Sequence, residues 1–126
     1  MASRQKKRPY FNCRPRIRVS GEEVIALGPG KADLLEAVDQ TGSISQAARS
    51  LKLSYRRAWD MIHTMNQCFT SPLVAGAAGG KGGGGASLTP MGRRVVASYR
   101  AMEAQAESAI RDEWKSLQKM LKTPEA

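Results

Sequence analysis

The sequence has few of the residues on which membrane insertion, disulfide frameworks and zinc sites depend. No apolar run approaches the roughly 20 residues of a membrane-spanning helix, and the basic N-terminus lacks the apolar centre of a secretory signal. The 2 cysteines, Cys13 and Cys68, are too few for a disulfide framework, which favours a reducing cytoplasm. With His63 as its 1 histidine, the chain cannot surround a zinc ion with four Cys or His ligands.

Sites for nucleotides and for nucleophilic catalysis are missing as well. In the glycine-rich segment, Ala75 stands where a Walker loop requires its first glycine, and Gly82 stands where it requires Ser or Thr. A G-x-G-x-x-G match in the same segment lacks the βαβ context that a dinucleotide site needs. No serine or cysteine can be paired with the single histidine. The sequence therefore predicts that the chain is not an enzyme and holds no cofactor or metal ion.

Positive charge is what the chain has in excess. Its net charge is +9 and its pI is about 10.1, which favours a polyanionic partner, although a solubilising surface would also explain it. Residues 1–19 contain no acidic residue. Residues 1–15, interrupted by Pro9 and Pro15, are predicted to form a flexible basic N-terminal arm, and residues 123–126 a tail.

Residues 16–122 carry the pattern of one domain that is mainly α with a small β component. Residues 16–19 and 22–27 predict two short strands around a turn at Ser20-Gly21. A first helix is predicted from Gly28-Pro29-Gly30 to Gly42. A second, short helix is predicted to begin with a capping box, in which the side chains of Ser43 and Gln46 each accept a hydrogen bond from the other residue's backbone N–H. Ser54 is predicted to cap a third helix that extends to about residue 69.

The third helix has its apolar residues at helical spacing. Ala58, Ile62, Met65 and Phe69 are predicted to form the buried stripe. Trp59 and Cys68 adjoin this stripe, and we expect both to lie in the core. Further along, apolar runs at 73–75 and 86–88 on either side of the glycines predict a hairpin, and Thr89-Pro90 predicts the start of a final helix.

The most specific signal is "ISQAARSLKLSYRRAWDMI", residues 44–62, which has the pattern of a helix-turn-helix. Ala47 and Ala48 are small enough for two helices to cross closely, and the second helix of such a unit can enter the DNA major groove. Many such turns have glycine where Lys52 stands. We expect Arg56 and Arg57 to read bases, and Lys52, Lys81 and the N-terminal arm to contact phosphates. The predicted DNA-binding residues are Ser45, Gln46, Lys52, Ser54, Tyr55, Arg56, Arg57, Asp60 and Lys81.

The final helix is predicted to be long, from about Pro90 to Leu121, with an apolar stripe that a small domain cannot cover alone. This predicts a homodimer, although the helix could instead fold back over its own domain. The predicted dimer-interface residues on this helix are Tyr99, Met102, Ala106, Ile110, Trp114 and Leu117.

Two segments together carry a resemblance to a known family. "GSISQAARSLKLSYRRAWDMIHTMN" and "GGKGGGGASLTPMGRRVV" closely resemble the N-terminal winged-helix domain of the ModE family of molybdate-responsive transcription regulators, and are more distantly similar to the LysR-type DNA-binding domain. The resemblance covers residues 16–122. It implies a winged helix-turn-helix that dimerises through its first and last helices, which adds Leu34 and Val38 of the first helix to the predicted dimer interface. It also implies that the helix starting at Ser54 lies in the major groove, with the Gly-Lys-Gly hairpin as a wing along the backbone.

Full-length members of that family continue into C-terminal domains that bind molybdate. This chain ends at Ala126, so we do not expect molybdate sensing, and no small-molecule effector can be identified. The resulting hypothesis is a bacterial, cytoplasmic, homodimeric regulator of transcription that binds double-stranded DNA sequence-specifically. A non-specific architectural DNA binder and a winged-helix protein-interaction adaptor remain as alternatives. The operator, the regulated pathway and the direction of regulation stay open.

Overall fold

The chain folds as a winged helix-turn-helix. The computed structural model describes residues 10–76 and 85–122. Within them the helices are α1 (Pro29–Thr41), α2 (Ile44–Ser50), α3 (Tyr55–Cys68), α4 (Pro90–Ala109) and α5 (Arg111–Gln118). The strands are β1 (Val19–Ser20), β2 (Ile25–Leu27), β3 (Val74–Gly76) and β4 (Ala86–Leu88), which form two antiparallel pairs, β1–β2 and β3–β4. The predicted fold class is confirmed. Most of the predicted arm (residues 1–9) and the tail at 123–126 lie outside the described residues.

The first helix ends as its glycine predicted. Gly42 adopts a φ of 71°, and its N–H donates to the Val38 carbonyl at 2.8 Å. The carbonyl of Gly42 in turn accepts from the Ala86 N–H at 2.9 Å. One residue thus terminates α1 and fixes the start of β4.

Serine side chains begin both helices of the helix-turn-helix. Ser43 Oγ accepts from the Gln46 N–H at 3.1 Å, and Ser54 Oγ accepts from the Arg57 N–H at 3.0 Å. The return contact predicted for the Gln46 side chain is not formed in the described part of the chain, because the Ser43 N–H donates to Thr41 Oγ1 at 3.3 Å instead. Half of the predicted capping box is therefore present.

The turn between α2 and α3 places Lys52 in the left-handed region. Its φ is 60°, and among the described residues it is the one non-glycine residue with positive φ. Many helix-turn-helix proteins have glycine at this position. The backbone here has the left-handed conformation that glycine adopts without strain, although the residue is lysine.

The core lies where α1, α2, α3 and α4 meet. Ala47, Ala48 and Ala58 are buried, which lets α2 and α3 cross closely as predicted. The largest fully buried side chains are Tyr99, Leu34, Leu35, Met65, Leu73 and Val38. Arg100 fastens α4 to α1 at the surface through Asp33 at 2.7 Å and Glu36 at 2.8 Å, and also pairs with Glu103 at 2.8 Å.

Two residues that we expected in the core are exposed. Trp59 has 43% of its surface exposed; it follows buried Ala58 by one residue, which turns it about 100° away around the helix. Its ring stacks on His63, with centroids 4.9 Å apart. Cys68 is also exposed, because it is the last residue of α3 and lies off the buried stripe.

The N-terminal strand is shorter and lies later than predicted. Residues 16–18 are extended outside the ladder, and the turn runs from Gly21 to Val24, whose carbonyl accepts the Gly21 N–H at 2.7 Å. Pairing of β1 with β2 is irregular between Val19 and Ser20, which limits the ladder. The Ile17 carbonyl instead accepts from the Tyr99 hydroxyl at 2.8 Å, so this segment is anchored to α4.

The second hairpin confirms the predicted pairing of the runs beside the glycines. Val74 pairs with Leu88, and Gly76 with Ala86. Its tip, residues 77–84, lies outside the described residues. Thr89 caps α4 through the Gly92 N–H at 2.9 Å and also donates from Oγ1 to the Pro72 carbonyl at 2.7 Å, which ties the helix start to the strand before it.

The predicted single long C-terminal helix is wrong in one respect, because it is interrupted at Ile110. That residue has φ −95° and ψ 1° and separates α4 from α5. Asp112 and Glu113 occupy the first turn of α5, where negative charge favours a new helix N-terminus. In the described residues α5 has no buried side chain, so packing does not hold it in line with α4.

Candidate nucleic-acid interface

The exposed N-terminal half of α3 presents the polar residues that we predicted to bind DNA. Ser54, Tyr55, Arg56, Arg57 and Asp60 are all exposed, while Ala58 and the rest of the stripe face inward. Arg56 Nε lies 3.5 Å from Asp60 Oδ1, and the two side chains are 84% and 56% exposed. This one-turn ion pair is weak in water, so Arg56 can exchange it for another acceptor at little cost.

The start of α2 and the turn extend this surface. Ser45, Gln46 and Lys52 are exposed, as predicted for residues that contact a partner. Arg49 is exposed on α2 as well, in its last turn. Sequence reasoning missed Arg49, although a basic residue directly after the buried pair Ala47 and Ala48 was a usable signal.

One flank of α3 faces the wing. Asn66 accepts from the Leu73 N–H at 2.8 Å and from the Val74 N–H at 3.2 Å, and its amide donates to the Val74 carbonyl at 3.2 Å. These bonds pin the base of the β3–β4 hairpin to α3. Lys81, the predicted wing contact, lies outside the described residues.

The opposite flank of α3 borders a shallow groove of about 290 Å³. Arg57, Asp60, Met61 and Thr64 supply the α3 side of it. Its other side consists of the extended segment at 16–18, the end of the first hairpin and the start of α1. The basic residues around it are Arg16, Arg18, Lys31 and Arg57. Sequence reasoning did not group them, because they come from three separate parts of the chain.

The predicted dimer-interface residues divide into two groups. Leu34, Val38 and Tyr99 are fully buried in the core of the single chain, so these three are not available to a second copy. Their apolar side chains belong to the packing of α1 against α4 within one chain. Met102 and Leu117 are exposed, and Ala106, Ile110 and Trp114 are half-buried along the same side of α4 and α5.

Other kinds of site find no support in the described part of the chain. Residues 10–76 and 85–122 contain no group of three or more His, Cys, Asp or Glu side chains that could hold a metal ion. Within the same ranges, no helix has the length and apolar character needed to cross a membrane.

The sequence matches the family model of the bacterial regulatory helix-turn-helix protein, lysR family, over residues 31–93, half of the chain. This match spans α1, the helix-turn-helix and the wing. The chain belongs to the LysR-type family of bacterial regulatory helix-turn-helix proteins. The family is one of regulatory proteins, in agreement with the prediction that this domain is not an enzyme.

Curated relatives of this LysR-type protein are named ModE or MopB. The chain is 51% identical over 85 residues to the molybdenum transport protein ModE of Azotobacter vinelandii, covering 68% of this chain and 32% of that protein. It is 46% identical over 91 residues to the molybdenum-pterin-binding protein MopB of Rhodobacter capsulatus, covering 72% and 34%. It is 48% identical over 71 residues to the DNA-binding transcriptional dual regulator ModE of Escherichia coli, covering 56% and 27%. The chain thus spans about a third of the length of these relatives, and the resemblance to the ModE helix-turn-helix is confirmed.

Proposed function

We propose that this LysR-type protein regulates transcription by binding double-stranded DNA sequence-specifically through the N-terminal half of α3. The observation that carries the proposal is the exposed row of Tyr55, Arg56 and Arg57 on a helix whose opposite face is fixed in the core. A rigid helix with outward arginines fits the major groove, where arginine can make bidentate bonds to guanine. The net charge of +9 supports a polyanionic partner.

The polar residues around α3 have separate roles in this proposal. Arg56 reads a base, because its side chain is 84% exposed and its ion pair with Asp60 is weak in water. Ser45, Gln46 and Arg49 on α2, and Lys52 in the turn, contact phosphates beside the groove. Lys81 on the wing is proposed to do the same by family resemblance.

Base readout by Arg56 is tested with a sequence selected from a random DNA pool. Replacing Arg56 with Ala is expected to cost about 1–3 kcal/mol at one base position and to flatten the preference there. The matched control is Arg111→Ala on α5, which removes the same charge far along the chain and is expected to leave sequence preference unchanged. If Arg56→Ala and Arg111→Ala give the same sequence profile, α3 does not read DNA as proposed.

Competition with random duplex distinguishes the proposal from its alternatives. A sequence-specific regulator stays bound to its selected site when random duplex is added in excess. An architectural binder is displaced from that site in proportion to the concentration of random duplex. A protein-interaction adaptor would show only weak association that disappears at moderate salt.

We also infer that the protein acts as a homodimer in the bacterial cytoplasm, where its DNA partner lies. The apolar side of α4 and α5 supports this, since Met102 and Leu117 are each more than 40% exposed. A groove of about 230 Å³, lined by Val19, Met91, Val95 and Met102 among others, continues this surface. Met102→Asp is expected to convert the dimer to a monomer in sedimentation experiments, with Glu107→Asp as a control on the same helix. A wild-type chain that sediments as a monomer at all concentrations would contradict the dimer.

A further inference from the structure

The groove on the flank of α3 opposite the wing has an unusual charge balance. Arg16, Arg18, Lys31 and Arg57 surround it, and among the described residues none of these four forms an ion pair with a carboxylate. Asp60, the one acidic residue of the lining, lies 3.5 Å from Arg56 on the outer side of α3. The lining of the groove therefore contains four cations and one carboxylate, which leaves it with a net positive charge.

The groove is also held in shape. Arg16 and Arg18 face outward while Ile17 between them is half-buried, and the Ile17 carbonyl accepts the buried Tyr99 hydroxyl at 2.8 Å. The Arg18 side chain lies over the start of α1, with its Cγ 3.6 Å from where a Cβ on Gly28 would be. The backbone that carries both arginines is thus anchored before any partner arrives.

Lys31 is the most constrained of the four cations. It is half-buried and its ammonium donates to the Ile25 carbonyl of the first hairpin. Partial burial lowers the pKa of Lys31, and the charge of Arg57 lowers it further, while Cys68 acts in the opposite direction. Crowding of like charges costs free energy in the isolated protein, and an anion in the groove would remove that cost.

The position of the groove relative to the wing identifies the anion. Asn66, which holds the wing, follows Arg57 by nine residues, and at about 100° per residue this places the two on opposite sides of α3. A helix in the DNA major groove has a phosphate strand on each side. If the wing follows one strand, the cationic groove faces the other.

We propose that Arg16, Arg18, Lys31 and Arg57 form a second phosphate-contact surface that binds the DNA strand on the side of α3 opposite the wing. This inference rests on the proposed function, because it takes α3 to lie in the major groove. It adds the segment at 16–18 and the start of α1 to the DNA-binding surface. Arg57 then holds the backbone, in place of the base readout that the sequence predicted for it. The surface reads no bases, since its cations surround a shallow groove, whereas the Arg56 side chain is 84% exposed on the outer side of α3.

The test compares the salt dependence of DNA binding in variants of equal charge. Arg18→Gln/Lys31→Gln removes two cations from the groove. Lys115→Gln/Lys119→Gln removes two from the side of α5 opposite Trp114 and Leu117, and serves as the matched control. Fluorescence anisotropy is measured with a selected duplex and with random duplex over a range of salt concentrations.

The groove variant is expected to reduce the slope of log affinity against log salt by about two units, and affinity at 0.15 M salt by on the order of tenfold. The ratio of affinities for selected and random duplex is expected to stay unchanged, and the control variant to keep the wild-type slope within about half a unit. Arg18→Gln alone is expected to lower the slope by about one unit. It leaves the Lys31 contact with Ile25 intact, so it tests the surface even if the double variant folds poorly.

The outcomes separate this inference from the proposed function. If the wild-type chain binds no DNA, or Arg56→Ala leaves its sequence profile unchanged, the proposed function fails. If the wild type binds and Arg56 reads a base, but the groove and control variants have equal slopes, the second phosphate surface alone is refuted. A fall in the ratio of selected to random binding in Arg18→Gln would also overturn it, because the groove would then read bases.

Discussion

Replacing Gly92 with alanine tests how the wing is joined to the body of the protein. Gly92 lies in the first turn of α4, and a Cβ on it would lie 2.2 Å from the Leu73 carbonyl oxygen and 3.1 Å from its carbonyl carbon. Non-bonded carbon atoms pack at about 3.5–4.0 Å, so the backbone at Leu73 would have to move by on the order of 1 Å. Both groups are backbone, and neither can rotate away.

The movement would break contacts that close the hairpin. The Leu73 carbonyl accepts from the Thr89 N–H at 2.9 Å, and the Thr89 hydroxyl, which donates to Pro72, lies 3.2 Å from it. Overpacking costs about 1–3 kcal/mol, and loss of a hydrogen bond costs about 0.5–1.5 kcal/mol. Alanine has a better helix propensity than glycine, which offsets at most about 1 kcal/mol of this loss of stability. We therefore expect Gly92→Ala to lower the free energy of unfolding by roughly 1–3 kcal/mol.

Gly30→Ala is the matched control, since Gly30 also lies in the first turn of a helix. A Cβ there would meet only Met61 Cε, at 4.0 Å. We expect this change to raise the free energy of unfolding by about 0.4–1 kcal/mol. Urea denaturation of both variants gives the comparison. If both shift the midpoint in the same direction, the close approach of α4 to Leu73 is not what requires glycine at position 92.

Three further predictions concern the turn, the recognition helix and the network on α4. Lys52→Gly is expected to stabilise the fold by about 1 kcal/mol, because a φ of 60° is strained for lysine and not for glycine. Lys52→Ala keeps a Cβ and is expected to give no such gain. The midpoints of urea denaturation compare the two variants, and equal midpoints would contradict the proposed strain. Ser54→Ala is expected to cost about 0.5–2 kcal/mol through loss of the bond to the Arg57 N–H, with Ser54→Asp restoring it, as measured by thermal unfolding. The hydrogen bond from Arg100 lowers the pKa of Glu36 below its ordinary 4.5. The ionised Glu36 side chain therefore contributes its full stabilisation above pH 4.5, and this stabilisation is lost as the pH falls through the pKa of the folded state. Glu36→Gln is expected to remove this part of the acid sensitivity, and an unchanged dependence of stability on pH would refute the prediction.

Features that depend on neighbours in sequence could be predicted, because capping and turn chemistry act over a few residues. Gly42, Ser54 and Thr89-Pro90 each mark a helix boundary that the structure confirms. The interruption at Ile110 could not be predicted in this way, since no proline or glycine stands there and the flanking residues are compatible with helix.

Features that depend on the tertiary arrangement were missed. Periodicity placed Trp59 inside because it adjoins the buried stripe, but the side of α3 on which it lies faces outward next to His63. The grouping of Arg18, Lys31 and Arg57 was invisible for the same reason, because the first hairpin and the start of α1 must fold against α3 before the three cations meet.

The bond between Gly42 and Ala86 links two events that would otherwise be independent. The Gly42 carbonyl at the end of α1 is the acceptor for the first amide of β4. Fraying of the last turn of α1 would withdraw that acceptor, and separation of β4 would leave it unsatisfied, so the end of α1 and the loop-side start of β4 open together as one cooperative unit. In native-state hydrogen exchange, the Gly42 and Ala86 amides are then expected to share one opening free energy, although they are far apart in the chain.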